Sequence, residues 1–242
     1  LQDDGTFKAE WFGITDYGTP SYDCVSTALD KNGRATLWRW LPTVRSFVQS
    51  SKAGWWNCYT MPRDVRLDDN GRILVRPAAA METLRGKAVP LENLKAASAE
   101  IQLRFQAGTS GETGIRLTEG KNSILAFYDH EKKELVLDFT DLDPSLTARC
   151  GTYRAPVNVK PGETVTLRVF SDRSIFELYA NDEVAISQAG FFADPEDLKA
   201  GILDRNDAKT RIGVNAWEME SLKYSTCMSG DKAGKQSQPQ NK

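Results

Sequence analysis

"TVTLRVFSDRSIFELYANDEVAISQ", residues 164–188, carries three short segments in which apolar and polar residues alternate, broken by "SDR" and "ND". Period-two alternation turns one face of each segment inward, and Ser, Asp and Asn at the breaks supply turn chemistry. The stretch reads as strands joined by tight turns. Outward from it the pattern repeats: "RATLWRW", "GRILVRP", "AEIQLRF", "GIRLTEG", "SILAFYD" and "ELVLDFT" read as strands, with "DKNG", "DDNG" and "DHEKK" as turns between them. Strands at this spacing predict an all-β chain built as a sandwich, barrel or propeller. "PLENLKAAS" and "DPEDLKAG" predict short helical turns, the second capped by Asp194 with Pro195 in its first turn. Alternation fails over residues 82–98, which predicts a connector, and the polar ending "SGDKAGKQSQPQNK" predicts a disordered tail.

A net charge of -2, from 31 basic and 33 acidic residues with no long block of one sign, gives no footprint for nucleic acid or an anionic membrane. No apolar run has the length of a membrane span, and "LQDDGTFKAEW" lacks the regions of a signal peptide. The chain starts at Leu1 and reads as cut at its amino terminus, with secretion the expected destination. Cys24, Cys58, Cys150 and Cys227 form no C-x-x-C pair and His130 is the only histidine, so zinc spacing is absent and no metal or cofactor is expected. Disulfides and buried free thiols both stay open for the cysteines. His130, in the charged "YDHEKKEL", is expected to be a solvated loop histidine.

In "NGRATLWRWLP", residues 32–42, the period of two sets Trp38 and Trp40 on one face and turns Arg39 to the other. An aromatic so placed is either core or the wall of a pocket.

Several stretches line up in one order. "DYGTPSY", "LDKNGRATLWRWLP" and "AGWWNCYTMPRDVRLDDNGRILVRPAAAMETLRG" resemble the end of the catalytic propeller of glycoside hydrolase family 32, the invertase, inulinase and levanase group. The family's patterns there are D-Y-G, Y-A, W-G-W, G-W-x-G-x-x-x-L-P-R and D-x-x-G-R-L. "ILAFYDHEKKELVLDFT", "YRAPV" and "LRVFSDRSIFELYANDEVA" resemble the sandwich that follows it. The resemblance implies the last blade of a five-bladed β-propeller over residues 1–85, a connector over 86–98, a C-terminal β-sandwich over 99–228 and a tail over 229–242.

It also implies a retaining hydrolase of β-linked fructose, which needs two carboxyl groups about 5 Å apart. The family draws its carboxylates from N-D-P-N-G, R-D-P and E-C, and none of these occurs here. By resemblance, the positions that could still touch sugar are Trp40, Tyr22 and Asp16, and for Asp16 a turn role ahead of Gly18 stands beside the sugar role. Arg39 stands where the family has glycine, and Asp23 where it has alanine. Asp64 reads as a solvated or Arg63-paired strand charge. Asp172, Arg173, Glu177 and Asn181 read as structural, with Asp172 and Arg173 tying the sheets together. Trp11, Trp55, Trp56 and Trp217 are assigned to packing or to the interface between blade and sandwich.

Two functions follow. One is the C-terminal portion of a β-fructofuranosidase whose remaining blades precede it, inactive alone. The other is a non-catalytic carbohydrate-binding or interaction module.

Overall fold

The computed structural model describes residues 2–8, 13–18, 22–41, 54, 57–146, 151–207 and 212–221, with the backbone alone at 22–24. The expected all-β class holds. Five antiparallel strands come first: β1 (Tyr22–Ser26), β2 (Ala35–Leu41), β3 (Cys58–Tyr59), β4 (Arg63–Leu67) and β5 (Ile73–Pro77). They form one sheet in the order β1-β2-β4-β5, and the short β3 continues the edge of β2. Asn57 enters β3 with φ 60°, in the left-handed region, at the place where the family pattern has its second glycine.

The remaining strands are β6 (Arg85–Ala88), β7 (Ser98–Gln106), β8 (Glu112–Glu119), β9 (Asn122–Asp129), β10 (Glu134–Asp138), β11 (Thr152–Pro156), β12 (Thr164–Asp172), β13 (Ile175–Ala180), β14 (Val184–Ala189), β15 (Lys199–Asp204) and β16 (Gly213–Met219). They make two antiparallel sheets, β11-β10-β9-β8-β15 and β14-β13-β12-β7-β16-β6. Their inner faces meet in one apolar core that includes Ile101, Leu103, Ile115, Ile124, Leu167 and Leu178, all fully buried. This is a β-sandwich in which each strand alternates between the core and the outside.

All nine alternating segments are strands. The quoted stretch supplies β12, β13 and β14 in register, with Asp172 opposite Ile175 and Ala180 opposite Val184. Asn181 and Asp182 take positive φ in the second turn, and the Asn181 side chain accepts from the Thr166 amide at 2.8 Å. Short 3-10 turns form at Leu91–Asn93 and Pro195–Asp197, the latter capped by Asp194, which accepts from the Glu196 amide at 3.0 Å. Within the pattern-free stretch, Arg85–Ala88 pairs with β16 and extends the sandwich by an edge strand.

His130 corrects its expectation. It is only 2% exposed, because β9 carries it into the core before the charged turn begins. Its Nδ1 accepts from the Gly108 amide at 2.8 Å and Nε2 lies 2.9 Å from Thr113 Oγ1, with Tyr128 and Phe105 edge-on to the ring.

Candidate functional site

The two faces of the first sheet have different chemistry, and period two decides which residue goes where. On β2, Arg39 turns one way and donates to Thr15 Oγ1 at 2.8 Å, so the large cation at the family's glycine position is carried away from the tryptophans. Leu41 is buried on that same side. Trp40 rises on the opposite face, half-buried. Its backbone pairs with Tyr22 on β1 and with Tyr59 on β3. Arg39 and Thr60 hold the two strands below them: the Thr60 amide donates to the Arg39 carbonyl at 2.8 Å, and the Arg39 amide to Thr60 Oγ1 at 3.1 Å. The Tyr22 side chain and Trp11, Trp55 and Trp56 lie outside the described residues.

Asp64 shares the outer face and corrects one expectation. Its carboxylate faces Arg76 at 3.4 Å and Arg34 at 3.7 Å, not Arg63, because neighbouring strand residues point to opposite faces.

Arg63 points inward, to the sandwich, and is 0% exposed. Its Nη1 donates to Asp16 at 2.5 Å, and its Nη2 to Glu177 at 2.7 Å and to the Ser187 hydroxyl. Glu177 also accepts from the Met61 amide at 2.6 Å and from the Tyr179 hydroxyl at 2.5 Å. The Tyr179 ring lies 5.4 Å from the guanidinium carbon. Burial works against the charge on Arg63, but Tyr179, Glu177 and Asp16 outweigh it and hold its pKa well above the ordinary value. Burial likewise drives the Tyr179 phenol well up.

Asp16 therefore sits at a junction. Besides Arg63, it accepts from the Gly18 amide at 2.7 Å and the Ser187 amide at 3.1 Å. The turn role ahead of Gly18 is present, and the carboxylate is buried between blade and sandwich. The Tyr17 amide donates to the Ala185 carbonyl at 2.9 Å, so the D-Y-G segment lies along β14, an edge strand of its sheet. Gly18 is required there, since a Cβ would overlap the Ser187 carbonyl. An apolar cluster completes the junction: Val75 packs with Phe170, Tyr179 and Ala185 of the sandwich, flanked by Met61, Val65 and Ile73.

The other structural readings land as follows. Glu177 is the buried centre of the junction, with a role that turn chemistry does not signal. Arg173 pairs with Glu196 at 3.0 Å, joining the β12–β13 turn to the connection that crosses between the sheets, but both are well exposed and the pair adds little. Trp217 packs under Arg85, whose guanidinium carbon is 4.2 Å from the ring centre, while Arg85 and Arg168 both hold buried Glu100 at 2.7 Å. Cys58 is a free thiol. Burial, with Glu177 and Asp172 nearby, pushes its pKa up to about 12, which leaves it unreactive. The side chains of Cys24, Cys150 and Cys227 are outside the described residues. Among the described residues, no cluster of His, Cys, Asp and Glu could hold a metal ion.

A five-strand antiparallel sheet bound through a buried ion network to a two-sheet sandwich defines a class, the all-β module built on a β-sandwich. Residues 73–218 match the model described as glycosyl hydrolases family 32 C terminal, and the chain belongs to that family. Raffinose invertase of Escherichia coli is 32% identical over 184 residues, covering 71% of this chain and 36% of its own length. Sucrose-6-phosphate hydrolase of Escherichia coli is 26% identical, covering 71% of this chain and 37% of its own length. The chain thus spans little more than a third of these relatives. Among solved structures, fructan 1-exohydrolase IIa from Cichorium intybus superposes with a TM-score of 0.67 at 19% identity, over 92% of this chain and 52% of that one. At that identity the likeness speaks for the fold.

Proposed function

We propose that this chain is the C-terminal part of a retaining β-fructosidase, acting on sucrose, inulin or levan through carboxylates that this part does not carry. The observation behind the reading is the family match, which runs from the blade strand β5 through the sandwich. Relatives named raffinose invertase and levanase support the substrate class.

In this reading the blade presents Trp40 as one wall of a fructose pocket, its indole face set against the C–H surface of the sugar ring. Tyr22 flanks it from β1. Asp16 serves the pocket from behind, by fixing the D-Y-G segment. Retention requires a nucleophile and an acid that reach the scissile bond from opposite sides. Asp16 and Glu177 flank one guanidinium, but both are buried and committed to Arg63, so they hold the scaffold. The sandwich, through Glu177, sets the orientation of the strand that carries Arg63. The partner in the complete enzyme is the remainder of the propeller.

The test has two arms. The purified chain should release no reducing sugar from sucrose, inulin or levan above a blank. The coding sequence upstream should hold N-D-P-N-G, R-D-P and E-C. Sugar release that disappears when an acidic residue of this chain is replaced would overturn the reading. An upstream sequence without those motifs would favour the binding-module alternative, which the exposed aromatic face of the blade would suit.

A further inference from the structure

His130 is sealed inside the sandwich, yet its ring grips a loop at the sandwich's end, residues 107–111 between β7 and β8. The Gly108 amide donates to His130 Nδ1 at 2.8 Å, and the His130 amide donates to the Gly111 carbonyl at 3.0 Å. From the other side Asp207 accepts from the Thr109 and Ser110 amides, each at 3.3 Å, and from Thr109 Oγ1 at 2.5 Å. The seat is close: a Cβ on Gly108 would overlap the Asn206 side chain, and one on Gly111 the Arg205 carbonyl. A backbone amide can only donate, so Nδ1 offers it a lone pair and the proton of the neutral ring sits on Nε2, 2.9 Å from Thr113 Oγ1. Protonation places a hydrogen on both ring nitrogens. The Nδ1 hydrogen then meets the Gly108 hydrogen, and the bond that holds the loop becomes a repulsion.

We propose that His130 is a proton-operated latch: neutral, it holds residues 107–111 against Asn206 and Asp207, and protonated, it releases Gly108 and frees the loop while the strands on either side stay paired. The charges around the ring suit that change. Asp207, Asp129 on β9 and Asp204 on β15 all favour the cation, and burial of the closed ring opposes them and prevails. Lys132 and Arg154 partly offset Asp129, each 3.7 Å from it, and Arg205 is turned to Glu112 at 3.0 Å. β7 packs the apolar Phe105 against the ring, and β8 the neutral Thr113. Opening relieves the burial, so the open form takes the proton first. Opening is therefore favoured as the pH falls from about 6.5 toward the lower value of the closed ring, by up to about tenfold per pH unit. Mild acid loosens one end of the sandwich and leaves its core shut.

The chain has one histidine, so nitrogen-15 labelling of histidine in the full chain gives ring signals that need no assignment. At about pH 8 they should show Nδ1 bare and Nε2 protonated, and in acid both nitrogens protonated. Amide hydrogen exchange at residues 107–111, corrected for the intrinsic effect of pH, should quicken by up to about tenfold per pH unit across the ring's own titration, while the β12 amides keep their protection. His130→Gln offers Gly108 an acceptor that takes no proton in this range, and its loop should stay closed throughout. If that variant does not fold, the parent chain decides alone, since ring titration and loop opening must then share one midpoint. A proton on Nδ1 at neutral pH, a ring that titrates with no change in the loop, a ring that stays neutral until the whole chain unfolds, or a loop that opens equally in His130→Gln would each overturn the latch.

Discussion

The sandwich and the first sheet are built from strands of the same kind, yet among the described residues only the sandwich shows a core of its own. Twenty-nine of its described residues, from Leu94 to Ala216, form a single buried cluster between its two sheets. The cluster at the first sheet has four buried members among the described residues, and three of them, Phe170, Tyr179 and Ala185, belong to the sandwich. Two facing sheets can bury each other, whereas a single sheet must borrow its second layer. Here the borrowed layer is the outer face of β12, β13 and β14, and Arg63 goes into it with two carboxylates. Among the described residues, the sandwich thus carries its own core and the first sheet leans on it.

The largest effect should come from Arg63→Ala. It would strand Asp16 and Glu177 as buried carboxylates without a counter-charge, a loss of about 3–5 kcal/mol in urea unfolding. The blade should melt ahead of the sandwich, so that one transition becomes two. A single transition with unchanged midpoint would break the comparison.

Next comes Gly18→Ala, whose added methyl meets the Ser187 carbonyl. Displacing the D-Y-G segment should cost about 1–3 kcal/mol. Hydrogen exchange should quicken at Ser187 and Tyr17 while the β7 and β12 amides keep their protection.

The smallest effect is confined to the sandwich. Burial holds the His130 ring below its ordinary value of 6.5, against the opposing pull of Asp207, Asp129 and Asp204. The unfolded chain therefore takes the proton first. Stability from this group is fully present above about pH 6.5 and is lost as the pH falls from there toward the lower folded value. The melting temperature should slope downward over that window, and His130→Gln should flatten the slope. The same slope in a separate blade transition would show that the two regions are not as distinct as their cores suggest.

What the sequence disclosed divides along the same line. The nine alternating segments were legible because each buries one face, and burial writes period two into the chain. β6, "RGKA", has no such signature: it is an edge strand whose place is set by β16. Asp16, Trp40 and Tyr22 were legible as positions of interest through the family patterns, but the patterns do not say which face each serves. The Arg63–Glu177 bond joins residues 114 apart, and no local signal announces it. His130 is misread because its neighbours are charged, although it follows directly on a strand. Tyr59 sits in a two-residue strand, too short to show any alternation.

The Arg63–Glu177 contact also bears on how the two units can be recombined. Each unit carries half of a charge pair that is tolerable only when the other half is present. A sandwich moved onto a foreign propeller would bring Glu177 without its arginine, and the foreign blade would have to neutralise a sealed carboxylate or repel the graft. The two units are therefore inherited as a matched set: a chimera that keeps β4 and β5 with the sandwich should dock as the parent does, while one cut at the connector, which looks like the natural seam, should fold its sandwich and fail to seat the foreign sheet.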